Sequence, residues 1–261
     1  MEDSYYQLVK YIEKKTSFRC QSYKERPLVR RLKVRMRILG LTDFSEYYDF
    51  LQGNPREIEL LKDVLTINLS YFFRNPETFD YLRKTVFPEL SARTSIVLWS
   101  AGCAQGEETY SLAILAAETG LLDRIRIIGT DIDDGVLEKA RVGLFPASAF
   151  QYAAPDILKK YFKEEKSGCR TIDSIKSAVE FIHHDFFEPP HFGLCDLIMC
   201  RNVLIYLGRK GQSVVLNNFH NQLKDNGYLV IGKVELLLGI PEVKLFEVVN
   251  RIEHVYRKIS V

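Results

Sequence analysis

The chain has 261 residues, 46% of them hydrophobic and 27% charged, which suits one large soluble domain or two small ones. A net charge of +2 argues against a general nucleic-acid binder, and no apolar run is long enough to span a bilayer. The start, MEDSYYQLVKYIEKK, carries acids and lacks the apolar stretch of a secretory leader, so a cytoplasmic protein is expected.

The first third predicts helices. Tyr5, Leu8, Val9 and Ile12 repeat at helical spacing. A second helix is expected over 25–39, with Pro27 in its first turn and a stripe of Val29, Leu32, Met36 and Leu39. Beside that stripe run Arg26, Arg30, Lys33 and Arg37, within a segment (1–37) that holds 11 basic and 4 acidic side chains. Such a local basic surface points to an acidic partner. Asp43 with Glu46 predicts a capping box for a third helix ending at Gly53, which buries Phe44, Tyr47, Tyr48 and Leu51. Asn54-Pro55-Arg56-Glu57 predicts an N-cap, a proline at the first helical position and an acid at the third, with Ile58, Leu61 and Leu65 on one face. Asn75-Pro76 opens a fifth helix carrying Phe79, Leu82 and Val86, and Pro88 with the polar residues 91–94 closes this region.

From residue 95 the pattern alternates. Strands are expected over 95–99, 125–130, 179–182, 194–199 and 228–231, with one or two more in 246–256. Helices are expected over 107–118, 136–142 and 210–224. This alternation predicts an α/β domain with a doubly wound, mostly parallel sheet. The stretch between Gly143 and Ala178 is longer than an ordinary connection, and it contains a helix-like segment over 156–163. The five cysteines (Cys20, Cys103, Cys169, Cys195 and Cys200) form no CxxC pair and join no histidine cluster, so buried thiols and no metal site are expected.

In such a sheet a ligand binds beyond the carboxyl ends of the strands, so the loop SAGCAQGEETYS after the first strand is the place to look. Its glycines, Gly102 and Gly106, are spaced Gly-x3-Gly rather than GxGxxG. Glu107 and Glu108 would repel a pyrophosphate and suit a cationic ligand such as S-adenosyl-L-methionine. A plain strand-to-helix turn, with two acids favouring the helix dipole, accounts for the loop equally well. Nothing in the loop's spacing chooses between the two acids; the resemblance drawn below implies Glu108 as the ligand, with Glu107 facing solvent. Asp131 ends the second strand, where a carboxylate can accept both ribose hydroxyls of either a dinucleotide or S-adenosylmethionine. Asp133 and Asp134 suit helix capping better.

Taken together, SAGCAQGEETYSLAILAAE, GTDIDDGVLEKAR, CRNVLIYL, LTINLSYFFRNPETF and RPLVRRLKVRMRILGL resemble the chemotaxis receptor methyltransferases, the CheR family, in order and over almost the whole chain. The resemblance implies a class I methyltransferase domain (93–261) with a small inserted β-subdomain (about 144–180), behind an N-terminal all-helical domain (1–92). It implies methyl transfer from S-adenosyl-L-methionine to glutamate side chains on a receptor's cytoplasmic helical bundle, leaving S-adenosyl-L-homocysteine and a methyl ester. By position it implies cofactor contacts at Asn68, Ser70, Arg74, Gly102, Glu108, Asp131, Asp185, Phe186, Asn202 and Val203. Ser70 stands where threonine is commoner. Arg74 and Tyr206 are implied at the substrate carboxylate, and Arg26, Arg30, Lys33 and Arg37 as the docking face. A monomer that neither enters the membrane nor binds nucleic acid is expected.

Two departures stand out. Gly232-Lys233-Val234-Glu235 replaces the family's Gly-His-Ser-Glu, and residues 164–171 (EEKSGCRT) lack the Gly-Arg-Gly turn with which some members grip a receptor's C-terminal peptide. Recognition without that peptide is therefore expected. The alternatives are a class I methyltransferase of another substrate and a non-catalytic relative that binds S-adenosylmethionine.

Overall fold

The computed structural model describes residues 2–16, 18–66 and 68–259. The chain divides into two compact units, Met1–Asn68 with Tyr206–Gln212, and Leu69–Ile205 with Ser213–Val261. Among the described residues no helix is long and apolar enough to cross a membrane.

The first unit contains α1 (Glu2–Thr16), α2 (Glu25–Leu39), α3 (Phe44–Gly53) and α4 (Pro55–Leu65). Tyr5, Leu8, Val9 and Ile12 are buried with Leu28, Leu32, Met36, Tyr47, Leu51, Leu61 and Leu65, so the helical periodicity was a sound guide to this core. The capping box forms: Asp43 accepts the Ser45 and Glu46 N–H groups at 2.8 and 3.0 Å, and Glu46 accepts the Asp43 N–H at 3.3 Å. The expected Asn54 cap does not. Its amide donates back to Phe50 O at 2.7 Å, and the side chain makes no cap bond to α4. Glu57 turns inward instead, accepting Arg35 Nε at 2.8 Å and Tyr47 Oη at 2.9 Å. A buried carboxylate needs such partners, and tertiary contacts supply them better than a helix end does. On α2, Leu28 and Arg31 go inside while Val29 and Leu39 are half-buried. Arg26, Arg30, Lys33 and Arg37 are exposed and, with Glu25, Val29 and Val34, line a shallow hollow.

The second unit holds α5 (Pro76–Tyr81), α6 (Phe87–Leu90), β1 (Ile96–Ala101), α7 (Glu107–Glu118), β2 (Ile125–Asp131), α8 (Asp134–Val142), β3 (Leu144–Phe145), α9 (Pro155–Tyr161), β4 (Phe162–Glu165), β5 (Gly168–Thr171), α10 (Asp173–Lys176), β6 (Val179–His183), β7 (Cys195–Cys200), α11 (Arg209–Gln222, whose first turn falls in the returning segment of the other unit), β8 (Leu223–Ile231), β9 (Phe246–Asn250) and β10 (Val255–Lys258). The main sheet runs β6-β2-β1-β7-β8-β10-β9. The first five strands are parallel, and β10 and β9 pair antiparallel at one edge. This is the doubly wound order, with its switch point between β1 and β7. The insertion folds as a separate antiparallel sheet, β3-β5-β4.

Residues 72–90 pack with this sheet. Phe72, Phe79, Leu82, Val86, Phe87 and Leu90 share one core cluster with Leu98, Ile127 and Leu197. Phe72 stacks on Phe150 at 4.8 Å and meets Phe145 and Phe162 edge-on. The fifth helix also continues past Tyr81 through a wider turn, Leu82–Val86, into α6. The Phe87 N–H reaches back to Leu82 O there, and Pro88 follows inside the helix rather than ending it.

Candidate active site

The site grows from the carboxyl ends of β1, β2 and β7. After Ala101 the chain takes left-handed φ angles at Gly102 (74°), Ala104 (49°) and Gly106 (93°). A Cβ on Gly102 would lie 2.9 Å from Val203 Cγ2, and one on Gly106 would lie 2.8 Å from Phe181 Cζ. Both the φ and the close approach require glycine at these two places. The Gly102 and Cys103 N–H groups donate to Thr130 O at 2.8 and 2.9 Å, which clamps the loop to the end of β2.

Asp131, buried at that end, accepts the Ala104 N–H on Oδ2 at 3.0 Å and the Asp133 N–H on Oδ1 at 3.1 Å. Each oxygen keeps a lone pair for a further donor. Burial pushes its carboxyl up to about 6, against the pull of those backbone bonds. Asp133 caps α8 as expected, accepting the Gly135 N–H at 2.9 Å.

Glu108 opens α7 with its carboxylate turned in. Oε1 accepts Ser100 Oγ at 2.8 Å, and Oε2 stands 3.5 Å from Arg201. Burial raises its pKa, while Arg201, Ser100 and Arg74 oppose the rise. Glu107 does not face solvent. It is buried, Oε2 has no protein partner, and burial pushes its carboxyl up to about 7. The reason lies in α7, whose first three turns are buried nearly all round, so the helix start has no wet side to offer.

Arg201, just past β7, went unassigned in the sequence although it lies inside the quoted CRNVLIYL. Its guanidinium donates to Asn75 Oδ1 at 2.6 Å, lies 5.7 Å from the Phe79 ring and leaves Nε buried without a partner. Burial lowers its pKa, with Glu108 opposing. Arg74 is half-buried between two left-handed residues, Phe73 (φ 53°) and Asn75 (φ 60°), and the Phe73 N–H is held by Ser111 Oγ of α7 at 3.0 Å. The Glu108 carboxylate, its side chain 12% exposed, thus has two arginines within electrostatic reach.

Asn202 also takes a left-handed φ, 63°, and its Oδ1 is buried without a protein partner. Glu235 holds the turn that follows. Its Oε1 accepts the Val203 and Ile205 N–H groups at 2.9 and 3.3 Å, and its Oε2 accepts the Gly232 N–H. Burial pushes this carboxyl up to about 7 against those bonds. Glu235 is the last residue of the altered Gly-x-x-Glu motif, so the part that survives is the part that secures the loop. At the replaced histidine position, Lys233 Nζ bridges Glu77 at 3.2 Å and Glu253 at 3.1 Å.

Asp185 and Phe186 follow β6, next to Asp131 through the His184 N–H to Asp131 O bond of 3.0 Å. Asp185 Oδ1 accepts the Phe187 N–H at 3.0 Å, and Phe186 is buried against Phe187. Ser70 is half-buried in the segment leading to Arg74. Asn68 and Tyr206 belong to the helical unit. Asn68 donates to Thr66 Oγ1 at 3.1 Å, while the Tyr206 ring lies under the Arg31 guanidinium at 5.0 Å and its carbonyl accepts the Lys24 N–H at 2.8 Å.

A doubly wound sheet ending in an antiparallel pair, with an acid in the first turn of the helix after β1 and another at the end of β2, is that of a class I methyltransferase, and the family match below makes S-adenosylmethionine its cofactor. Residues 68–252 match the family described as CheR methyltransferase, SAM binding domain, and residues 3–66 match CheR methyltransferase, all-alpha domain. The chain belongs to the CheR methyltransferase family. It is 32% identical to a chemotaxis protein methyltransferase of Borreliella burgdorferi, over 91% of this chain and 89% of that one. To a chemotaxis protein methyltransferase of Listeria innocua it is 28% identical over 92% of each. To chemotaxis protein methyltransferase 2 of Pseudomonas aeruginosa it is 32% identical over 78% of this chain and 76% of that one.

Proposed function

We infer that the chain esterifies glutamate side chains on the cytoplasmic helical bundle of chemotaxis receptors, working as a cytoplasmic monomer. The observation that carries this reading is the Glu108–Arg201 pair, with Arg74 in electrostatic reach, together with the buried Asp131 at the end of β2. The methionine end of the cofactor has one ammonium and one carboxylate. One enclosed carboxylate, with Arg201 at 3.5 Å and Arg74 within electrostatic reach, matches that pair. In this reading Glu108 takes the ammonium, Arg201 faces the carboxylate, and Asp131 accepts the ribose hydroxyls. Gly102 lets the backbone approach closely, while Asp185 and Phe186 flank the adenine. The unpartnered Asn202 Oδ1 and the neighbouring Val203 line the same end of the sheet. The roles of Asn68, Ser70 and Tyr206 rest on the resemblance alone.

When bound, S-adenosylmethionine supplies an electrophilic methyl group on sulfur and leaves as neutral S-adenosylhomocysteine. The receptor carboxylate is already ionised at neutral pH, so no residue need act as a general base. The protein's work is then alignment and exclusion of water. Arg74 orients the incoming carboxylate, and the exposed stripe Arg26, Arg30, Lys33 and Arg37 attracts the acidic bundle. Incubation with methyl-labelled S-adenosylmethionine and receptor-rich membranes tests the reading. Base-labile label on receptor bands is expected, and base-stable label would refute a glutamyl ester.

A further inference from the structure

Arg74 lies in a stretch of backbone that residues other than glycine avoid. Phe73 before it and Asn75 after it both take left-handed φ angles, 53° and 60°. Such backbone persists only where its surroundings hold it. Among the described residues no hydrogen bond fixes the Arg74 guanidinium, whose nearest aromatic contact is the Tyr71 ring at 6.0 Å. Its place is therefore set by what grips the chain on either side. On the leading side the Phe73 N–H donates to Ser111 Oγ at 3.0 Å. On the trailing side the Asn75 side chain is engaged by Arg201 and does not cap α5. The first turn of α5 is held from elsewhere. Buried Thr78 donates Oγ1 to Glu253 Oε2 at 2.7 Å, and Lys233 Nζ lies 3.1 Å from Glu253 Oε1 and 3.2 Å from Glu77 Oε2. Glu253 is buried in the turn between β9 and β10, where Asn250 Oδ1 accepts the Ile252 and Glu253 N–H groups at 3.0 Å each. His254 Nδ1 lies 3.0 Å from Gly232 O, beside Lys233. The bridge thus rests on fixed backbone at the edge of the main sheet.

We propose that Lys233 and Glu253 are positioning residues for methyl transfer: together they hold the first turn of α5, and so fix the left-handed turn that aims Arg74 at the incoming carboxylate. This inference rests on the role given to Arg74 in the function proposed above. The chemistry of the pair suits the task. A buried carboxylate is costly unless it is paired and hydrogen-bonded, so Glu253 keeps its hold on Thr78 only while the Lys233 ammonium stands beside it. That ammonium has three donors on a flexible stem, enough to take Glu253 and Glu77 at once. Alignment is what this reaction asks of the protein, and a misplacement of about 1 Å, caused far from the chemistry, can slow such a step about a hundredfold.

The test is Lys233→Met in full-length protein, assayed with methyl-labelled S-adenosylmethionine on receptor-rich membranes. kcat should fall about tenfold or more, while the KM for receptor and the S-adenosylhomocysteine affinity by calorimetry stay within about twofold of the parent. Lys233→Arg can still bridge two carboxylates and should recover kcat to within about threefold of the parent. Thr78→Val keeps the shape of the side chain and removes its bond to Glu253, so it should lower kcat in the same way, and it carries the test should Lys233→Met not fold. An unchanged kcat in folded Lys233→Met, or in Thr78→Val, overturns the inference. So does a loss that S-adenosylhomocysteine affinity shares in full, or that Lys233→Arg fails to recover, because either marks general damage to the fold. A parent that leaves no base-labile label on receptor overturns the receptor reading, and this inference with it.

Discussion

Asp131 and Glu107 show how burial sets the pH behaviour of single residues here. Asp131 is pushed up to about 6, above the ordinary aspartate range, so it becomes protonated as pH falls through 6. A neutral carboxyl accepts ribose hydroxyls less well, so S-adenosylhomocysteine affinity should fall below about pH 6, and calorimetry across pH 5–8 checks this. A profile that stays flat in that range contradicts the role given to Asp131. Glu107 sits at about 7 with one oxygen unpartnered. Its folded pKa is raised, so its contribution to stability is present at low pH and is lost as pH rises through about 7. Glu107→Gln should therefore raise the stability of the free protein at pH 8 by about 1–3 kcal/mol, and the gain should vanish near pH 4, below the ordinary glutamate value. Thermal melts at the two pH values decide it. Glu108→Gln should behave differently, weakening S-adenosylhomocysteine binding about 10- to 100-fold by removing a charge-assisted contact. It also leaves Arg201 buried without its counter-charge, so a lower melting temperature should accompany the loss.

At the scale of elements, the loop after β1 and the turn after β7 act as one fitted pair. Gly102→Ala puts a methyl group against Val203 and forces a side chain into left-handed backbone. Val203→Ala relieves the first fault and not the second. The double variant should recover part of the stability lost by Gly102→Ala and not all of it, and a double-mutant cycle on melting temperature measures the coupling. Additive effects would mean the two residues do not press on each other. These elements also show what the sequence could tell. The buried strand Cys195–Cys200 reads as an apolar run because both of its faces are covered, and the capping box at Asp43 reads because it is local. Glu107, Glu57 and Arg201 were not legible. Their positions depend on what packs around them, and helix-end rules know only the neighbours along the chain. The helix through Pro88 was missed for a related reason, since a proline shows its missing N–H in the sequence but not the wider turn that precedes it.

At the scale of the whole molecule, charge separates two tasks. The stripe on α2 is exposed, while the acids assigned to the cofactor, buried Asp131 and half-buried Glu108 and Asp185, belong to the other unit. Arg30→Glu with Lys33→Glu should raise the KM for receptor, most strongly at low salt, and leave S-adenosylhomocysteine affinity unchanged. A parallel loss of cofactor binding would contradict the division of labour. The central claim is the chemical one, that the chain makes methyl esters on receptor glutamates. Its most direct measurement is the fate of label transferred from methyl-labelled S-adenosylmethionine to receptor-rich membranes. Label on receptor bands that mild base releases as methanol is the predicted result, and label that resists base, or settles on another class of molecule, would contradict it.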